Sequence, residues 1–154
     1  MRRPPAQLPF VAAVAAVLVT VVAALGGRRA GAQPVAALRE HRWVHRVLVV
    51  APAPRGSAAE STYRAQQAEV ARAAAAFAER DLVVVDLGTG TDPGRAATLR
   101  RQLGLSATGF GVVLVGKDGG VKLRRRSVLP AAVVLATIDA MPMGAAEARR
   151  RRTP

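Results

Sequence analysis

The sequence predicts one α/β domain whose mixed sheet is built in the order β-α-β-α-β-β-α, behind an N-terminal signal segment. Three observations carry this expectation. Apolar runs of buried-strand length recur at residues 47–50, 82–85 and 110–115. Helix-start chemistry stands between them, at Ser57 with Glu60 and at Asp92 with Pro93. An Asp118-Gly119 turn then leads into alternating apolar and basic residues, as a hairpin with one buried face would.

The first element is the signal. Met1-Arg2-Arg3 precede an apolar stretch over residues 10–25, followed by Arg28, Arg29 and the small residues Ala30 and Ala32. A basic start, an apolar centre and a small-residue end form a secretory signal with cleavage after Ala32. The stretch falls short of the ~20 apolar residues that span a bilayer. Arg28 and Arg29 also blunt the charge asymmetry that orients an anchor. The protein is therefore expected in the periplasm or outside the cell, touching the membrane transiently through its signal. An uncleaved membrane anchor is the alternative. The chain divides into a signal (1–32), an extension (33–45), the domain (46–143) and a basic tail without order signals (144–154).

Within the domain, residues 47–50 form the first strand, ended by Ala51-Pro52-Ala53-Pro54. Ser57 and Glu60 have capping-box spacing. The helix behind them puts Tyr63, Val70, Ala74 and Phe77 on one face and closes around Glu79-Arg80. Residues 82–85 are a second buried strand. Asp92-Pro93 begins a helix that Gly104 ends. Residues 110–115 and 121–124 pair as a hairpin, with Lys122 and Arg124 turned outward against edge-to-edge pairing. A last helix over 130–140 carries Ala131, Val134, Leu135 and Ile138 on its apolar stripe, and Pro142 stops it.

This element order is that of the thioredoxin fold, a three-layer sandwich. The stretch from Phe110 to Leu123 resembles its third and fourth strands. Four pieces resemble, more specifically, an uncharacterised family of exported thioredoxin-like domains, DUDES-type, found in bacterial envelope proteins and in animal matrix proteins. They are residues 43–48 (WVHRVL), 79–82 (ERDL), 116–122 (GKDGGVK) and 138–143 (IDAMPM). Positions of unknown role in this pattern are Trp43, Arg46, Arg80, Lys117, Asp118, Gly119, Lys122, Asp139, Met141, Pro142 and Met143. The resemblance implies the fold and, from a suggestion made for relatives, a peroxiredoxin-like activity. The chain departs from that activity. A redox thioredoxin carries cysteines at the positions matching 53–57, where this chain has Ala-Pro-Arg-Gly-Ser. Gly111 stands near the place of its cis-proline, and Gly144 follows IDAMPM where a basic residue is usual.

Composition sets further bounds. With no cysteine there is no disulfide, thiol nucleophile or thiolate metal site, so thiol peroxidase and disulfide oxidoreductase activities are excluded. The chain carries 23 basic against 10 acidic residues, a formal charge of +13. Cleavage after Ala32 would remove four arginines, leaving 19 against 10 and a charge of +9. Aromatic residues make up 3%, too few for a surface that stacks nucleic-acid bases. Nucleic acid is disfavoured by this and by export. Arg100, Arg101, Lys122, Arg124, Arg125 and Arg126 are candidate contacts to an anionic envelope surface. The arginine-rich composition, with 21 Arg to 2 Lys, also accounts for part of the charge.

His41 and His45 share the spacing of a helical ligand pair, but the strand start at Arg46 puts them out of phase and no third histidine exists. Residues 88–94 lie where a phosphate could meet a helix N-terminus. Pro93 spoils the dinucleotide pattern, leaving a plain turn with an N-cap. Ser57 is expected to cap, and Asp139 to anchor the C-terminal turn. No metal and no cofactor are expected. The function expected is therefore a non-redox binding or structural module of the cell envelope, with an unknown protein or an anionic surface as partner. The alternative is a non-thiol enzyme, a hydrolase or a metal-dependent one, using His41, His45 and Asp139.

Overall fold

The computed structural model describes residues 34–152. The signal predicted over residues 1–32 lies outside them. Four strands form one sheet in the order β2-β1-β3-β4: β1 (Arg46–Ala51), β2 (Leu82–Asp86), β3 (Gly111–Val115) and β4 (Val121–Arg125). β1 and β2 run parallel, with Arg46 opposite Leu82. β3 is antiparallel to β1, with Val47 opposite Val115, and β4 is antiparallel to β3. Five helices accompany them: α1 (Ala58–Arg72), α2 (Ala74–Ala78), α3 (Pro93–Gln102), α4 (Ala131–Asp139) and α5 (Pro142–Arg152). The architecture is α/β with a mixed sheet. Among the described residues no helix is long and apolar enough to cross a membrane.

The period of two along a strand sends alternate side chains to opposite faces, and β1 feeds two cores. Leu48 and Val50 pack with Phe77, Leu82, Val112, Leu114, Val134 and Ile138. Val47, Val49 and Ala51 pack on the other face with Leu99, Leu103, Val113 and Val115. Every β1 position is buried, which is why its sequence reads as a continuous apolar run. The extension before β1 closes the second core: a 3-10 helix, Ala36–His41, buries Leu38, and Val35 is buried just before it. β4 is an edge, with Val121 and Leu123 half-buried and Lys122, Arg124 and Arg125 exposed.

Local chemistry sets the element ends. Asp92 caps α3 by accepting from Arg95 N at 2.9 Å, ahead of Pro93. Gly104, at φ +60°, ends the same helix. Leu105 N donates to Arg100 O and Gly104 N to Arg101 O, a Schellman motif. Gly119, at φ +82°, makes the hairpin turn with Asp118, whose Oδ1 accepts from Gly120 N.

Two expectations are corrected. Ser57 precedes α1 but its hydroxyl donates backward to Pro54 O at 2.7 Å, and Glu60 reaches Gly56 N instead of Ser57 N. A nearby carbonyl acceptor takes the hydroxyl from the helix amides, and the Glu60 carboxylate bonds one residue too early, so the capping box does not form. Residues 144–152, predicted from sequence to be a structureless tail, form most of α5. Pro142 cannot extend α4 but suits a first helical position, and the alanines and arginines behind it are good helix formers. Gly144 is buried against α4, where a Cβ would collide with Ile138 O.

Candidate functional site

The strings at 43–48, 79–82, 116–122 and 138–143 are distant in sequence and meet at one end of the sheet. β1 and β2 begin there, β3 ends and β4 begins. Arg46 opens β1 and is 1% exposed. Its main-chain N–H donates to Asp81 O at 2.8 Å. Its guanidinium donates from Nη1 to Arg80 O at 2.7 Å and from Nη2 to Glu147 Oε2 at 2.9 Å. Lys117 follows β3 and is 9% exposed. Its Nζ donates to Asp81 Oδ2 at 2.8 Å and to Glu147 Oε1 at 2.9 Å. One carboxylate from α5 thus bridges two buried cations. Beside it Arg80 forks onto Asp139, Nε to Oδ1 and Nη2 to Oδ2, both at 3.0 Å.

Moving a cation out of water costs several kcal/mol unless charged partners offset it. The titration shifts follow. Burial works against the Glu147 carboxylate, but hydrogen bonds from Lys117 and Arg46 hold its pKa below the ordinary value. The Lys117 hydrogen bond lowers Asp81. Burial would lower Lys117, yet its bonds to Asp81 and Glu147 raise it. Asp139 raises Arg80 by accepting its hydrogen bonds. These shifts favour the charged forms of Glu147, Asp81, Lys117 and Arg80.

A cleft of about 240 Å³ opens against this cluster. Arg46, Lys117, Asp118 and Lys122 line it together with Met141, Pro142 and Met143. Asp118 and Lys122 pair at 2.5 Å. Trp43 lies next to it in sequence space and in structure, since its N–H donates to Lys117 O at 2.6 Å. Its backbone sits at φ +67° with the side chain 62% exposed and the Arg42 guanidinium carbon 5.1 Å from the ring centroid. A bulky residue in that backbone region is a strained placement.

The sequence pattern of the domain of unknown function DUF4174 matches residues 37–147. The chain belongs to that family. The DUF4174 match takes in all of the cluster, from Arg46 to Glu147. No curated protein matches the chain.

His41 and His45 stack edge to face with ring centroids 5.6 Å apart, and His45 Nδ1 is buried without a partner. Among the described residues no group of three or more His, Cys, Asp or Glu could hold a metal ion. Ser57 and residues 53–57 follow the opposite end of β1, about 17 Å away at ~3.3 Å per residue. Among the described residues no peptide bond is cis, including the one before Gly111. Of the six basic residues read as anion contacts, Arg100 is committed inside: it donates to the carbonyls of Pro52, Ser106 and Gly109. Burial lowers its pKa. Arg101, Lys122, Arg124, Arg125 and Arg126 are exposed.

Sequence reasoning missed Glu147 and Asp81 as members of the cluster. Asp81 lay inside the quoted 79–82 string. Glu147 had one signal, being the single acid between Asp139 and the C-terminus.

Proposed function

We propose that this chain is an exported, non-redox thioredoxin-like module that acts in the cell envelope by binding a partner. The observation that carries the reading is the position of its built polar site. The element order and the strand order β2-β1-β3-β4 support a thioredoxin-like sheet. On such a sheet thiol chemistry belongs after the C-terminal end of β1, at residues 53–57, and the chain has no cysteine there or anywhere else. The charged cluster and its cleft stand at the other end. They offer recognition groups, cations and soft apolar side chains, with no nucleophile poised beside a free base. Both Asp139 oxygens are engaged by Arg80, which favours an anchoring role for Asp139 over catalysis.

The test is fractionation of cells producing the full chain, with N-terminal sequencing of the product. The expected product is extracytoplasmic and begins at Gln33. Retention in the cytoplasm with Met1 intact would overturn the reading. Affinity capture from envelope extract then compares the native chain with Met143→Asp and Lys122→Glu. A partner held by the native chain and lost by both variants is the expected result, and a partner retained by both would remove the cleft from the binding surface.

A further inference from the structure

We propose that the Arg46 and Lys117 side chains form a binding site for a phosphate-type oxyanion, which the Glu147 carboxylate fills as a displaceable internal ligand. This deepens the binding-module reading and rests on it.

The geometry of the two guanidinium groups makes the case. An arginine offers its Nε and Nη2 hydrogens along one edge, shaped for two oxygens at once. Arg80 uses that edge fully on Asp139. Arg46 does not: Nη2 holds Glu147 Oε2, while Nε is buried with no partner. Glu147 turns its other oxygen to Lys117, at 2.9 Å, and leaves Nε of Arg46 without an acceptor. Three donor positions, Nε and Nη2 of Arg46 and Nζ of Lys117, thus face a ligand with two oxygens. A phosphate or phosphate monoester brings three acceptor oxygens and a greater charge. An unmet buried donor is costly, and such an anion relieves it.

The site has an entrance and a removable occupant. The cleft beside Arg46 and Lys117, about 240 Å³, is large enough for phosphate, and its lining includes the Lys122–Asp118 ion pair. The nearby acids are committed, Asp81 to Lys117 and Asp118 to Lys122. α5 carries Glu147 on a helix whose sequence, PMGAAEARRRR, lacks an apolar stripe. The Glu147 carboxylate ties this helix to Arg46 and Lys117, and Gly144 packs against α4.

The experiment measures melting temperatures of the purified protein in sodium phosphate and in sodium chloride at matched ionic strength. Glu147→Gln keeps the shape and removes the competing charge. Its melting temperature is expected to rise by at least 5 °C in 20 mM phosphate relative to chloride, and the native chain by 1 °C or less. Adding Lys117→Met should abolish the gain. Phosphate titration followed by fluorescence of Trp43, the single tryptophan, should saturate in Glu147→Gln and stay flat in the double variant. Should Glu147→Gln fail to fold, Glu147→Asp keeps the charge but is too short to bridge both cations, and phosphate should stabilise it by a similar margin. No phosphate-specific gain in either variant overturns the site, as does a gain that survives Lys117→Met. Vesicles of phosphatidylcholine with 10% phosphatidic acid separate the sources. Lysine-dependent sedimentation of Glu147→Gln identifies a lipid headgroup, and its absence alongside phosphate stabilisation identifies a soluble phosphate. Fractionation reads the location independently, so failure here leaves export and the module reading standing.

Discussion

The Arg80–Asp139 fork decides whether Asp139 is an anchor. The perturbation is a double-mutant cycle with Arg80→Met, Asp139→Asn and the pair together. Unit charges about 4 Å apart attract by ~4 kcal/mol at an effective dielectric of 20. Fully exposed pairs deliver only ~0.2–1 kcal/mol. The Arg80 side chain is 18% exposed and that of Asp139 37%, so solvent screens one partner substantially. The bidentate geometry restores part of that loss, since both bonds are 3.0 Å and charge-assisted. A coupling of ~1–2 kcal/mol follows, below the unscreened figure and above that of a surface pair. Each single replacement should lower the melting temperature by roughly 4–10 °C, taking ~4–5 °C per kcal/mol for a domain of this size. Urea denaturation of the four proteins at pH 7 gives the cycle directly. A coupling under ~0.3 kcal/mol, the level expected of distant independent sites, would refute the anchor and return Asp139 to the candidates for proton transfer.

Two further outcomes test other parts of the molecule. Tyr63 donates to both oxygens of Asp86, at 2.8 and 2.9 Å, and burial together with that carboxylate pushes its hydroxyl up to about 12. The unfolded chain releases this proton from pH 10, so the contribution is complete below pH 10 and declines up to pH 12. Tyr63→Phe should lose that decline in urea midpoints measured between pH 9 and 12, and identical slopes would refute the assignment. Gln66, 1% exposed, accepts from Leu129 N at 2.7 Å and donates to Leu129 O at 3.2 Å. Gln66→Leu should cost ~2–4 kcal/mol by orphaning two buried backbone groups, and speed hydrogen exchange at the Leu129 amide. A Leu129 amide that stays protected would show that another group takes its place.

Most of the fold is local or periodic, and such features can be read from sequence. Residues 47–50 read as a strand because both faces of β1 are buried, and 121–124 because one face of β4 is. Asp92 and Gly104 mark the ends of α3 through chemistry that needs no tertiary context. The candidate site was legible only as four strings, because no local rule says where strings distant in sequence will meet. Arg46 reads only as a motif position of unknown role at the start of a strand, because the partners of its buried guanidinium, Arg80 O and Glu147 101 residues later, are not local. Ser57 shows the same limit at short range. Capping box and backward turn are both compatible with its neighbours, and the position of Pro54 O selects the second.

The two ends of the sheet differ in a way that bears on function. After β1, the loops are tied down by Arg100, whose guanidinium holds the carbonyls of Pro52, Ser106 and Gly109 together. That end is tied by side-chain-to-main-chain hydrogen bonds and carries no cysteine at 53–57. Before β1, three cationic side chains and three carboxylates from five separate segments meet in one cluster, of which Arg46 and Lys117 line the cleft. Stability alone gives little reason for such an arrangement, since well-packed apolar residues commonly match or exceed a buried ion pair. The unfilled Nε of Arg46 agrees with the proposed exchange, since a larger anion would bring the acceptor that Glu147 leaves out.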